Sequence, residues 1–194
     1  MELAKKFTST DYNKLDFSKA ETWDKTINVL QNRLNERYIE PADKLIEFEA
    51  GIPFPDRKFG FTILAIDCLL IETLQSFYEG KTNSKNISRD LFTDFLMKRD
   101  SFKSYFPTIA EAEFFYYNFR CGILHQAQTF SNTKVRAIGS LVSKNNGMTI
   151  VNRIRFHEAV KKEVEEYILL LKNGTNNQLR KNFKIKMCKL PFNS

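Results

Sequence analysis

The sequence predicts an all-α protein, a helical bundle carrying a small β-hairpin insertion near residues 135–154. Three observations lead there. Apolar residues recur at helical spacing in successive segments between residues 19 and 172. One of these segments, 57–79, is apolar nearly all round, as the central helix of a bundle must be. The only strand-like runs flank Asn145-Asn146-Gly147, a tight-turn signal. With 194 residues, 42% of them hydrophobic, the chain can bury one sizeable core, so disorder is excluded. A single domain is expected over 1–194, with core helices over about 57–172, N-terminal helices over 19–50 and a basic C-terminal segment over 175–194.

Each element has its own justification. Ser18 with Glu21 three residues later fits a capping box, and Trp23, Ile27, Val29, Leu30 and Leu34 follow at near-helical spacing to about Tyr38. Pro41 suits the first turn of a second short helix holding Leu45, Ile46 and Phe48, which Gly51-Ile52-Pro53-Phe54-Pro55 ends. Asp56 is placed to cap the long helix over 57–79, with Gly80 as its stop. A polar loop precedes an amphipathic helix over 87–98 that carries Leu91, Phe92, Phe95 and Leu96. Thr108 and Glu111 repeat the capping pattern and open an aromatic helix containing Phe114-Phe115-Tyr116-Tyr117 and Phe119. Residues 135–142 and 148–154 read as the two strands of the hairpin, and a last helix over about 156–172 is closed by Gly174.

Several function classes fall away. The longest apolar stretch, 59–74, contains Asp67 and Glu72, so it reads as a buried helix and no membrane association is expected. The N-terminus lacks the charged-then-apolar order of a signal peptide. Cys68, Cys121 and Cys188 form no CxxC pair, which favours reduced thiols and a cytoplasmic protein. P-loop, dinucleotide, GxSxG and HExxH patterns are all missing from the sequence. No cofactor is expected. No metal is expected either: Cys121 and His125 share a helix face, but zinc needs three or four ligands and no companion motif exists.

The chemistry concentrates in Arg120-Cys121-Gly122-Ile123-Leu124-His125. A guanidinium offers phosphate a planar fork of donors, and an imidazole suits proton transfer near neutrality. Arg120 follows Phe119 inside a segment that must be largely buried, where an unpaired cation is costly. Asp67 and Glu72, the acids of the central helix, are the candidate partners that orient the pair. Asp67, flanked by apolar residues on both sides, is favoured as the buried one. The net charge of +7 leans toward a polyanionic partner. Arg153 and Arg155 beside His157, and Arg180, Lys181, Lys184 and Lys186 in the tail, are candidate phosphate contacts. A solvated tail or edge strand is the plainer account of the last four. Tyr116, Tyr117 and Tyr167 are the aromatics left as candidates for base stacking.

Arg120-x4-His125, late in an aromatic helix of an apparent bundle, resembles the signature of the HEPN (higher eukaryotes and prokaryotes nucleotide-binding) domains. The resemblance covers the motif and about residues 57–172. The residue after the arginine, often Asn, Asp or His in that family, is Cys121 here. What the resemblance implies is a helical bundle that pairs as a homodimer and acts as a metal-independent endoribonuclease. Its partners would be RNA or a nucleotide, with an antitoxin or defence partner protein, in a toxin or antiviral role. A catalytically inactive relative that binds RNA, nucleotide or protein is the alternative it implies.

Overall fold

The computed structural model describes residues 2–4 and 7–189. The N-terminus forms a short antiparallel pair, β1 (Glu2–Ala4) and β2 (Phe7–Thr8), followed by a single-turn helix α1 (Ser9–Asn13). Helices α2 (Ala20–Leu34) and α3 (Glu40–Ala50) run on through a π-helical turn, Asn35–Ile39, with no break between them. Pro41 explains the widening: inside a regular helix its ring would meet the carbonyl four residues back, at Arg37. The expected capping box at Ser18 does not form. Asp16 Oδ1 accepts both the Ser18 N–H (3.0 Å) and its hydroxyl (2.7 Å), so α2 starts from Lys19 without a side-chain cap.

The central helix α4 (Gly60–Glu79) buries Ile63, Leu64, Cys68, Leu70, Ile71, Leu74 and Phe77, and packs against α3 and five later elements. It starts three residues later than the sequence suggests. Asp56 closes a 3₁₀ turn (Phe54–Asp56), and the first free amide is instead capped from α3, by Glu49 Oε1 accepting the Phe59 N–H at 2.5 Å. Gly80, in the left-handed region at φ 68°, stops α4 as expected. Around it lie α5 (Ser88–Lys98), α6 (Ile109–Phe115), a second π-helical turn (Tyr116–Cys121) with α7 (Gly122–Gln126), α8 (Arg153–Asn173) and α9 (Asn177–Lys189). Thr108 caps α6 by accepting the Glu111 N–H.

The aromatics weld these helices together. Phe115 stacks on Phe119 (4.5 Å between centroids) and on Phe156 of α8 (5.3 Å), while Phe102 meets Phe156 edge-on at 5.2 Å. Such contacts add roughly 0.5–1.5 kcal/mol each to the burial itself. Phe92, Phe95, Phe102, Phe115, Phe119 and Phe156 are fully buried, and with Phe7, Phe77, Phe106 and Phe183 ten of the eighteen phenylalanines belong to the core.

The insertion is larger than a hairpin. β4 (Val142–Asn145) and β5 (Met148–Asn152) form the antiparallel pair around Asn146-Gly147, as the turn signal requires. A further strand, β3 (Thr133–Arg136), pairs with β5 in parallel, giving the order β3-β5-β4. The run expected as one strand over 135–142 is broken by a bend at Gly139 (φ 95°), whose carbonyl accepts from Asn152 Nδ2. Asn152 also accepts the Ile154 and Arg155 N–H groups, so α8 begins at Arg153 rather than near 156. The basic C-terminal run is neither loose tail nor edge strand. It is α9, which buries Leu179, Phe183 and Met187 against α4.

Within the described residues, α4 alone has the length and apolarity to cross a membrane, and 61% of that window is buried inside the bundle.

Candidate functional site

The chain that leads to the site starts in the second π-helical turn. Tyr116 and Phe119 point inward from it, and Arg120 turns its side chain onto α4. There Arg120 Nε–H donates to Glu72 Oε1 at 2.5 Å, with both side chains largely buried. The second carboxylate oxygen, Glu72 Oε2, accepts the Ser88 hydroxyl (2.8 Å), and Ser88 Oγ in turn accepts the Tyr116 hydroxyl (3.1 Å). Both oxygens of Glu72 are therefore engaged, and the guanidinium is held in one orientation. Burial pulls the Arg120 pKa down, but the hydrogen bond and charge of Glu72 outweigh it and leave the cation firmer than usual.

From that fixed position Arg120 Nη1–H donates to His125 Nε2 at 3.1 Å. Residues five apart lie about 140° apart around an α-helix, yet the long arginine stem and the last turn of α7 bring them together. Arginine has only donors, so Nε2 must supply a lone pair and the ring proton sits on Nδ1. His125 itself is exposed, three residues after Gly122 and two after Ile123, the buried pair that seats α7. A cleft of about 200 Å³ opens beside Arg120, with Glu72, Leu69, Leu124 and Lys186 also on its walls. The arrangement is a buried carboxylate, a fixed cation and an exposed imidazole with its Nε2 lone pair directed inward.

The other sequence candidates separate into distinct places. Asp67 is fully buried, as expected, but it does not meet Arg120 or His125. Its Oδ1 lies 2.6 Å from Nδ1 of the buried His157, and His157 Nε2 lies 3.4 Å from Asp43, which pairs with Lys161 at 2.7 Å. The reason is angular: Asp67 and Glu72, five residues apart on α4, face different neighbours, α8 for one and the Arg120 turn for the other. Arg153 is a correction of another kind. Expected as a phosphate contact, it is buried, and its Nη2 donates to Glu49 in a closed ion pair between α8 and α3. Arg155 is exposed on α8.

The tail cations also divide. Arg180 donates through Nε and Nη2 to the Leu171 carbonyl (3.1 and 3.0 Å) and lies 4.4 Å from the Trp23 ring, a helix-capping role. Lys181 and Lys184 are exposed, whereas Lys186 turns into the Arg120 cleft. Tyr167 is fully buried and drops out as a stacking residue; Tyr116 is buried too, and Tyr117 remains exposed. Ser88 in the Glu72 network carries no motif that singles it out, whereas Tyr116, expected as a stacking residue, serves that network instead, and Lys186, expected as a phosphate contact, stands in the cleft wall. Among the described residues no group of three or more His, Cys, Asp and Glu side chains is gathered as metal ligands.

Comparison with family models, with curated proteins and with solved structures gives no match for this chain.

Proposed function

We propose that this protein is a HEPN-like, metal-independent endoribonuclease, with Arg120 and His125 as its catalytic residues and Glu72 as the residue that positions Arg120. One observation carries the reading: a guanidinium that lines a cleft, clamped by a buried carboxylate, donates to the Nε2 of an exposed imidazole. In the reaction, His125 Nε2 takes the proton of a ribose 2′-OH, whose oxygen attacks the adjacent phosphorus. The P–O5′ bond breaks, leaving a 2′,3′-cyclic phosphate, and the departing 5′-oxygen takes up a proton. Arg120 releases the imidazole and holds the nonbridging oxygens, where charge builds up in the transition state. A second copy of the chain would bring the second imidazole, as general acid. Exposed Leu69 and Leu124 on the cleft wall offer that copy an apolar seat.

The test is cleavage of end-labelled single-stranded RNA in the presence of EDTA. The expected products carry a 2′,3′-cyclic phosphate and a free 5′-OH, and DNA of the same sequence stays intact because it lacks the nucleophile. His125→Ala is the clean variant because the side chain is exposed. It is expected to lower the rate by about 10²–10⁴-fold with an unchanged melting temperature. Wild-type cleavage retained in that variant rejects the assignment. Arg120→Ala is expected to lose cleavage as well, with some loss of stability, since it leaves the buried Glu72 carboxylate uncompensated.

A second reading rests on the same clamp. Because Glu72 already holds Arg120, the pair can serve an RNA- or nucleotide-binding module that performs no chemistry. Salt-sensitive binding without products would select that reading.

A further inference from the structure

The cleft beside Arg120 contains a second cation that the proposed chemistry does not use. Lys186 comes from α9, an element outside the region that carries the Arg–His motif, and it reaches the same cleft wall as Arg120 and Glu72. Its neighbours Phe183 and Met187 are buried, so the helix face that bears Lys186 is fixed against the bundle. Lys181 and Lys184, five and two residues away, point in other directions and sit in the open.

The charges of the cleft do not cancel. Glu72 is offset by Arg120, which leaves Lys186 as one positive charge in surplus. Among the described residues its ammonium meets only the Thr82 carbonyl oxygen, at 3.4 Å, and no carboxylate. A partly buried ammonium in that position is under-solvated, and burial draws its pKa down. An anion in the cleft would relieve this. Thr73 and Ser84 line the same space, and a hydroxyl can donate to such oxygens.

We infer that Lys186, Thr73 and Ser84 form a phosphate subsite for single-stranded RNA, holding a backbone phosphodiester adjacent to the one that faces Arg120 and His125. A phosphodiester carries one negative charge, which matches the surplus of the cleft. Its place next to the reacting phosphate rests on the ribonuclease reading, but the subsite itself needs only a phosphate chain. Lys186 is then a substrate-positioning residue: it touches no reacting atom, and its contribution falls on binding. It also gives α9 a functional reason to be docked next to the Arg–His helix.

The experiment measures binding of a short 2′-O-methyl RNA, which cannot be cleaved, across a salt series, together with cleavage kinetics on the unmodified RNA. Wild type is compared with Lys186→Gln, Lys186→Met, Lys186→Arg and the exposed control Lys181→Gln, each with its melting temperature. Lys186→Gln is expected to weaken binding by about tenfold at low salt. It should also reduce the slope of log K against log salt by about 0.7, the signature of one lost phosphate contact on a single strand. In cleavage, KM should rise with kcat within about twofold of wild type. Lys186→Met, which keeps the stem, should behave as Lys186→Gln, and Lys186→Arg should restore most of the binding. Equal losses in Lys181→Gln and Lys186→Gln would reduce the effect to general surface charge and overturn the subsite, as would unchanged binding in Lys186→Gln or wild-type protein that does not bind the RNA. Binding that depends on Lys186 without any wild-type cleavage keeps the subsite and discards the ribonuclease reading. Cleavage by wild type with KM unmoved in Lys186→Gln does the reverse.

Discussion

At the scale of single residues, Gly122 decides whether His125 can be where it is. The chain leaves α7 through Ala127 in the left-handed region and folds back, so that Gln128 N–H donates to the Gly122 carbonyl at 3.3 Å. A Cβ on residue 122 would lie 2.5 Å from the Gln128 carbonyl oxygen, a backbone atom that cannot step aside. Two effects compete in Gly122→Ala. Alanine favours the helix by about 1 kcal/mol, while forcing the loop off its seat costs about 1–3 kcal/mol. We expect the clash to win, with a net loss of about 1–2 kcal/mol in urea unfolding and a fall in any activity that depends on His125. Stabilisation by about 1 kcal/mol instead would mean that the loop does not rest on Gly122. Close approach of another backbone is a physical reason for a glycine inside a helix, and the packing here supplies it. Much else at this scale was legible: Arg120, His125 and a carboxylate on the central helix stand together. Asp67 is the more deeply buried acid, as expected, but which of Asp67 and Glu72 faces the Arg–His pair is not legible, because two acids on one helix look alike until its faces are assigned. Arg153 failed for the matching reason, since a surface-like Arg-x-Arg run conceals one arginine paired to Glu49 from another helix.

At the scale of elements, the pairing of α4 with α8 carries a titration. Asp67 is pushed up to about 6, first by burial and also by the nearby Asp43, with the His157 hydrogen bond pulling the other way. The group is raised above its unfolded value of 3.8. Between those two values the folded protein keeps a proton that the unfolded chain has released. Its contribution to stability is thus complete below about pH 3.8 and disappears as the pH rises through about 6. At about 1.4 kcal/mol per unit, the contribution is about 3 kcal/mol. Asp67→Asn keeps an acceptor for a His157 N–H and cannot titrate. The difference in unfolding free energy, wild type minus Asp67→Asn, should therefore fall by about 2 kcal/mol between pH 4 and 7. A difference that stays flat across that range would show that Asp67 does not hold the proton. Helices such as α4, α5 and α8 were legible because their apolar period survives inspection of sequence alone. Neither π-helical turn was, since a widened turn leaves the apolar pattern almost intact, and Pro41, which accounts for the first, reads equally well as the first turn of a new helix. β3 was hidden differently: its parallel partner β5 is supplied by a chain reversal that local patterning does not encode.

At the scale of the whole molecule, α9 is the element whose role the sequence misstates most. Its basic residues suggest a solvated tail, yet every third or fourth position is apolar, and Leu179, Phe183 and Met187 are buried. Phe183 lies 6.1 Å from Phe77 of α4 and 6.2 Å from Trp23 of α2, so α9 bridges the central helix and the N-terminal helices. Arg180 closes the carbonyl end of α8, and Asn182 Nδ2 donates to the Tyr78 carbonyl at 2.6 Å, near the stop of α4. Burial of three such side chains is worth roughly 5–9 kcal/mol in total, comparable with the 5–15 kcal/mol that holds a whole domain. A chain ending at Asn176 keeps the Arg–His motif and the helices over 57–172, but it strips the cover from Phe77 and Trp23. We expect that chain to lose its cooperative unfolding transition and to bind a hydrophobic dye, even though its secondary structure largely persists. If it melts cooperatively within a few degrees of the full protein, α9 is an appendage and the bundle closes without it. The same result would detach Lys186 from the cleft without unfolding the protein. The truncation therefore also tests whether the motif helix and the basic helix are one structural unit, which is the condition for a site that draws cations from both.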